Sequence, residues 1–292
     1  RTRASRRRVR SLSSCALPVL ARARKADPLA AAVDGKERFV SYQEWDDLLQ
    51  KSFERLYYVP ADPALDAQYD VDPSLVARRG IYKDVHGTPA PRSRADYQLR
   101  GQFPIAMAVA PELFTPKFAL DALAVLEANL VGPLGVKTLD PADPDYRGVY
   151  DNSNDSDDYH VAKGRNYHQG PEWVWPMGAS RFPPLPPSPQ WPVLTSSRPR
   201  LRPGYFLRAH LIFDTLVGAG KDDPTSTFHH IYEHLSRHRA HIAADPWAGL
   251  PELTNENGGY CHDSCRTQAW SASTLLDALD DMARLAKAKK AV

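Results

Sequence analysis

From residue 41 the apolar positions recur at steps of three and four. In SYQEWDDLLQKSFERLYYVP, Trp45, Leu48, Leu49, Phe53 and Leu56 share one helical face. Ser41 stands where an N-cap would, and Glu44 three residues on completes a capping box. FPIAMAVAPELF and KFALDALAVLEANL read as two helices separated by a short turn at Thr115-Pro116. YFLRAHLIFDTLV and TFHHIYEHLSRHRAHIA each suit a helix. So does RTQAWSASTLLDALDDMARLAKAKK, with Ala269, Ala272, Leu275, Leu276, Leu279 and Met282 on one face. Almost no segment alternates apolar and polar residues at period two. The pattern predicts an all-α chain with long loops, as in a helical toroid whose site is built from loops. Residues 133–170 form a long loop stretch, polar and punctuated by Gly, Pro and Asn. Loops of that length in a compact domain are usually functional.

Two segments depart from this pattern. Residues 179–203 carry eight prolines, four arginines and no acid, a composition that cannot bury a core and reads as an insert. Residues 1–26 hold nine Lys or Arg and no acid. Such a start resembles an organelle transit peptide, but residues 1–35 read rather as a basic, disordered tail. The chain begins at Arg1 and not at a methionine, so it is expected to be incomplete at this end.

The tail changes the meaning of the net charge of +2. Without it, 28 of the 37 basic residues face 35 acidic ones, so the body is acidic. That argues against nucleic acid as the main partner and fits a neutral, hydroxylated ligand. No apolar run approaches the ~18 residues needed to cross a bilayer, so no membrane partner is expected. The three cysteines, Cys15, Cys261 and Cys265, suggest a reducing compartment and no disulfide framework. Cys261-His-Asp-Ser-Cys265 lacks a second ligand pair for a closed zinc site. His229, His230, His234, His238 and His241 crowd one helix and read as a solvated face. No metal and no cofactor is therefore expected.

The chemistry concentrates in loops rich in aromatic and polar residues. NYHQGPEWVW supplies Tyr167, His168, Gln169, Glu172, Trp173 and Trp175; GIYKD supplies Tyr82 and Asp84; DYQLR supplies Asp96 and Arg100; TQAW supplies Gln268 and Trp270. A sugar presents hydroxyls in its plane and C–H groups on its faces, so its site needs polar rims and aromatic platforms. Trp175 and Trp270 have an equal claim to the core, and Asp96 and Arg100 could pair with one another. WAGLPELTNENGGY holds two carboxylates, Glu252 and Glu256, among Asn255, Asn257 and three glycines.

Excising residues 179–203 joins NYHQGPEWVWPMG to YFLRA. The joined stretch resembles the C-terminal amylo-α-1,6-glucosidase domain of the eukaryotic glycogen debranching enzyme family. RRGIYKDVHGTPAP, DYQLRGQFPIAMAVAPELFTP, GPLGVKTLDPADPDYRGVYDNSND, DDYHVAKGRNYHQGPEW and PWAGLPELTNENGGYCHDSCRTQAWSASTLLD agree in order. The resemblance covers about residues 36–178 and 205–288. It implies an (α/α)6 toroid of the glucoamylase-like kind, of which this chain, from 36 to 292, would be roughly the C-terminal half.

It also implies hydrolysis of α-1,6-linked glucose stubs with inversion, in a family that carries a 4-α-glucanotransferase on the same chain. The Leu-Pro-Glu match makes Glu252 the general base, ahead of Glu256. The substrate-binding set is then Tyr82, Asp84, Arg100, His168, Glu172, Trp173, Asn255, Gln268 and Trp270. The partner is glycogen or a branched α-glucan limit dextrin, and the setting cytoplasmic, or organellar if the tail is a true address. The family's general acid is an aspartate in a Thr-Trp-Met-Asp block, and this chain contains no such block. It is therefore expected to be an incomplete copy, with a non-catalytic glucan-binding protein as the alternative. A trehalase or glucoamylase is disfavoured, because ELTNENG and NYHQGPEWVWP look specific to debranching enzyme.

Overall fold

The Ser41 capping box forms. Ser41 N–H donates to Glu44 Oε2 at 2.8 Å, and Glu44 N–H donates back to Ser41 Oγ at 3.2 Å, satisfying two amides at a helix start that have no partner within the helix. A computed structural model describes residues 30–33, 36–39, 41–90, 93–177, 205–217 and 223–290. The Arg-rich start through residue 29 and the Pro-rich 179–203 segment lie outside the described residues. The chain divides into two compact units, residues 1–52 and 53–292.

In the first unit β1 (Ala30–Val33) pairs antiparallel with β2 (Lys36–Phe39), Ala30 opposite Phe39. The helix that follows, α1 (Tyr42–Tyr57), crosses the division, and its last turn belongs to the second unit. There β3 (Tyr58–Val59) pairs antiparallel with β4 (Ile81–Tyr82). Next come α2 (Phe103–Val109), α3 (Pro116–Leu130), β5 (Val136–Lys137), β6 (Glu172–Trp173), α4 (Phe206–Val217), α5 (Thr225–Ala244), β7 (Leu253–Thr254) and α6 (Ala269–Lys290). The described residues are thus mainly helical with a few short strands. Five of the seven strands are two residues long, too short to leave an alternating pattern in the sequence. No helix among the described residues is long and apolar enough to cross a membrane.

The core forms around α3, whose Ala119, Ala122, Leu123, Leu126 and Leu130 are fully enclosed. Phe206, Leu207, Leu211 and Phe213 of α4 and Ala278 and Met282 of α6 join the same cluster. Aromatic rings fill its other side. Tyr58 stacks on Phe118 with centroids 4.5 Å apart, and Phe114 meets Tyr82 edge to face at 4.8 Å.

The buried stripe of α6 differs from the apolar one. Leu276 is 65% exposed and Leu279 38%. Ser271, Thr274, Leu275, Ala278, Asp281 and Met282 face inward instead. The polar members are satisfied there. Ser271 Oγ donates to Pro251 O at 2.7 Å, Thr274 Oγ1 donates to Ser271 O at 2.9 Å, and Asp281 pairs with Arg208 of α4. Arg208 is 1% exposed, and its two terminal nitrogens have no hydrogen-bond partner. Burial lowers the Arg208 pKa and raises that of Asp281.

The histidines of α5 likewise divide: His229 is exposed, and His230 and His241 are half-buried. His234 and His238 are buried. His238 lies between the carbonyls of His234 (2.8 Å from Nδ1) and Leu134 (2.7 Å from Nε2). His210 on α4 is half-buried, and desolvation pushes its pKa down to about 4.

What positions the loops is the three-stranded antiparallel sheet, with β6 between β5 and β7. Glu172, at its centre, is 0% exposed. Its carboxylate meets Lys137 Nζ of β5 at 3.2 Å and accepts from Thr254 Oγ1 of β7 at 3.3 Å. It also accepts the backbone amides of Asn257 (2.8 Å) and Gly258 (3.2 Å). Those amides converge because Asn257 and Gly258 both take left-handed backbone angles, φ 59° and 73°. Gly132 leaves the room, since a Cβ there would lie 2.1 Å from Glu172 Oε2.

Removing one member of a buried pair strands the other charge, at a cost of about 3–5 kcal/mol. Glu172→Ala is expected to lower unfolding stability by about that much in urea denaturation. Gly132→Ala should also destabilise the chain, because its methyl group meets the carboxylate. Unchanged midpoints in both would show that the carboxylate does not organise the sheet.

Candidate active site

Glu252 lies one residue before β7, in the Leu250-Pro251-Glu252 loop. Its backbone is clamped on both sides. Val174 N–H donates to Glu252 O at 3.0 Å, and Glu252 N–H donates to Cys265 O at 2.9 Å. Pro251 is buried, while the Glu252 side chain is partly accessible. Gln268 Nε2 donates to Glu252 Oε1 at 3.0 Å, and the Tyr167 hydroxyl also bonds the carboxylate. Gln268 is itself held, its Oε1 accepting from Ser271 Oγ at 3.2 Å and its backbone N–H reaching Leu250 O at 2.8 Å. Burial and the Glu252 carboxylate both raise the Tyr167 pKa, so the phenol remains a donor at neutral pH.

Aromatic rings extend from this carboxylate. Tyr167 meets Tyr150 at 5.0 Å and Trp173 edge to face at 4.6 Å. His168 stacks on Trp173 at 4.7 Å. Trp173 approaches Trp175 at 6.2 Å, and Trp175 stacks on Trp270 at 4.3 Å with planes 15° apart. Trp173 is 7% exposed and Trp270 42%, so the accessible end of the row is Trp270. The Trp173 indole N–H donates to Tyr167 O at 3.1 Å, which fixes the wall to the loop carrying His168.

Arg100 supports the same loop from behind. Its Nη1 donates to His168 O at 2.9 Å and Thr138 O at 3.2 Å, and its Nη2 to Gln98 Oε1 at 2.8 Å and Gln169 Oε1 at 3.0 Å. Burial and Arg100 lower the His168 pKa, while the Glu252 carboxylate raises it. Asp84 is solvent-accessible, yet surrounding protein desolvates its carboxyl and raises its pKa, with Arg100 opposing the shift.

The expected residues therefore separate into groups. Glu252, Gln268, His168 and Trp173 come together, with Arg100 linked through the His168 carbonyl, Asp84 in the field of Arg100, and Trp270 reached through Trp175. Asn255 sits beside them as a brace, accepting from Tyr150 N–H at 2.9 Å and donating to Tyr260 O at 3.2 Å.

Two residues lie elsewhere. Tyr82 is 1% exposed in the aromatic core and donates to Glu54 Oε1 at 2.8 Å. Glu172 is fully enclosed, with its oxygens occupied by protein donors. Asp96 does not pair with Arg100; it accepts the amides of Gly87 and Thr88 at 2.6 and 3.2 Å. Glu256 accepts from the Tyr146 hydroxyl at 3.1 Å, and its amide holds Gly148 O at 2.9 Å, which makes it a loop clamp. Tyr150 was not singled out from sequence, although its GVYDNSND block was.

This arrangement is a held, partly accessible carboxylate beside aromatic platforms and amide donors. The family model described as amylo-alpha-1,6-glucosidase matches residues 9–180 and 200–277. The match begins inside the Arg-rich start, and its gap falls within the Pro-rich segment. Glycogen debranching enzyme of Saccharomyces cerevisiae is 46% identical over 250 residues, which cover 83% of this chain. This chain spans 14% of that protein's length. On the breadth of that match, the chain belongs to the amylo-α-1,6-glucosidase family.

Proposed function

We propose that this chain carries the general-base side of an inverting α-1,6-glucosidase centre acting on single-glucose stubs of a branched α-glucan such as glycogen. The observation that carries the reading is the Glu252 carboxylate, held by Gln268 and Tyr167 at the foot of an aromatic wall. Inversion needs an ionised carboxylate that activates water on the far face of the sugar. Two neutral donors orient that carboxylate without cancelling its charge, and the proton of the attacking water passes to Glu252. Glucose in the site would lie against Trp270, with His168, Gln268, Asn255 and Asp84 around its hydroxyls, the buried Trp173 backing His168 and Arg100 setting the position of His168. Tyr82 and Glu172 are left out of this set because they are enclosed. The helices and loops fit part of an (α/α)6 toroid, and the reading suits a cytoplasmic polymer. It assigns protonation of the glycosidic oxygen to no residue of this chain.

α-Glucosyl fluoride isolates the base, because fluoride departs with little need of an acid. The chain is expected to convert it to β-glucose, and Glu252→Gln to slow this by about 10²–10⁴-fold. Equal rates in the two proteins, or α-glucose as product, would remove Glu252 from the role. Saturable maltooligosaccharide binding with no turnover would make this a glucan-binding protein instead.

The shared electrostatics of the site can be read by NMR. His168 is expected to titrate below the ordinary histidine range, to move further down in Glu252→Gln and to move up in Arg100→Gln. A His168 titration indifferent to both changes would place the imidazole outside the Glu252 site.

A further inference from the structure

Away from the sugar loops, three helices bring imidazoles onto one carboxylate. Glu127 lies near the C-terminal end of α3, His210 on α4, and His230 and His234 one turn apart on α5. His234 Nε2 is 3.1 Å from Glu127 Oε1, His230 Nε2 is 3.4 Å from the same oxygen, and His210 Nε2 is 3.8 Å from Oε2. One ligand atom each from Glu127, His230 and His234 lies within 4.8 Å of the others. A tetrahedral zinc ion with bonds of about 2.0–2.1 Å needs donors roughly 3.3 Å apart, and the separations of His234 and His230 from Glu127 Oε1 lie on either side of that value.

The hydrogen bonding is incomplete in the same place. The Nε2 atoms of His210 and His230 are buried and have no hydrogen-bond partner. Buried polar atoms normally find one, and here both nitrogens face a carboxylate already approached by His234. His234 is buried, while His230 also lines an open surface hollow with His229, Tyr232 and Glu233. The His-x-x-x-His spacing puts both α5 donors on one face, and imidazole with carboxylate is a donor set suited to zinc and its neighbours.

We propose that Glu127, His230 and His234 form a structural site for a zinc-class divalent cation that ties α3 and α5 together, with His210 of α4 beside it. The site replaces the expectation of a metal-free, solvated histidine face. The sequence spacing on α5 alone lacked Glu127 and His210, which only the fold supplies. The proposal is independent of the glucosidase reading, since no residue of the Glu252 site belongs to it.

The test uses the tag-free chain, stripped of metal with a chelator and titrated with Zn²⁺ and separately with Co²⁺. One equivalent should bind, Co²⁺ should develop the intense visible bands of a tetrahedral site, and Zn²⁺ should raise the melting temperature. His230→Asn at the accessible edge and Glu127→Gln should each weaken binding by more than the ~10–100-fold typical of losing an outer-shell partner, and abolish the Zn²⁺-dependent rise in melting temperature. His229→Ala, which alters an exposed neighbour outside the cluster, should bind as the parent does. Circular dichroism checks that the variants are folded, and the two milder changes decide the matter if His234→Ala does not fold. Absence of binding at micromolar Zn²⁺, parent-like binding by His230→Asn and Glu127→Gln, or an equal loss in His229→Ala would overturn the proposal.

Discussion

The buried carboxylate of Glu172 is the constraint on which the site rests. It is the only side chain of β6 that reaches β5, β7 and the turn beyond β7 together, through Lys137, Thr254 and the amides of Asn257 and Gly258. An ionised group without solvent must have its lone pairs occupied, and here the donors come from two stretches remote from β6 in the chain, Lys137 and residues 254–258, which with β6 make three parts. Satisfying one carboxylate therefore fixes where those three parts meet. The third part is β6 itself, where the next residue, Trp173, is the platform on which His168 stacks, and Glu252 directly precedes the strand that pairs with it.

Glu252 and Glu172 show how environment assigns different tasks to one side-chain type. Glu172 has a cation and backbone amides around it and no exposed surface, so its charge is spent on structure. Glu252 has an amide and a phenol as donors and keeps an accessible edge, so its charge remains available to a ligand. Glu256, four residues further on, is bound by the Tyr146 hydroxyl on the outside of the turn. The Leu-Pro-Glu order matters physically. Leu250 and Pro251 are buried, which anchors the backbone immediately before the carboxylate that has to stay put.

Much of the helical plan was legible in the chain. Apolar spacing marked α3, α4 and α5, and the Ser41–Glu44 capping box formed as its residues suggest. The inward face of α6 was not legible, because Ser271, Thr274 and Asp281 are buried by virtue of partners on other elements. Tyr82 was misplaced for the opposite reason. A tyrosine in a polar loop block looks like a ligand until Glu54, 28 residues earlier, takes its hydroxyl proton as a hydrogen bond. At the candidate site the family motif pointed to Glu252, and the aromatic run from Tyr167 to Trp175 pointed to the wall. The bracing by Arg100 and Gln268 depends on tertiary distance, which spacing along the chain does not carry.

The ion pair between Arg208 and Asp281 has a consequence for how such chains can diverge. Either residue changed alone leaves a charge stranded between α4 and α6, whereas an apolar pair of similar volume can fill the space without loss of stability. The two guanidinium nitrogens that lack partners make the existing pair an imperfect solution. Positions 208 and 281 are thus free to drift only in step, and related chains should hold there either two opposite charges or none.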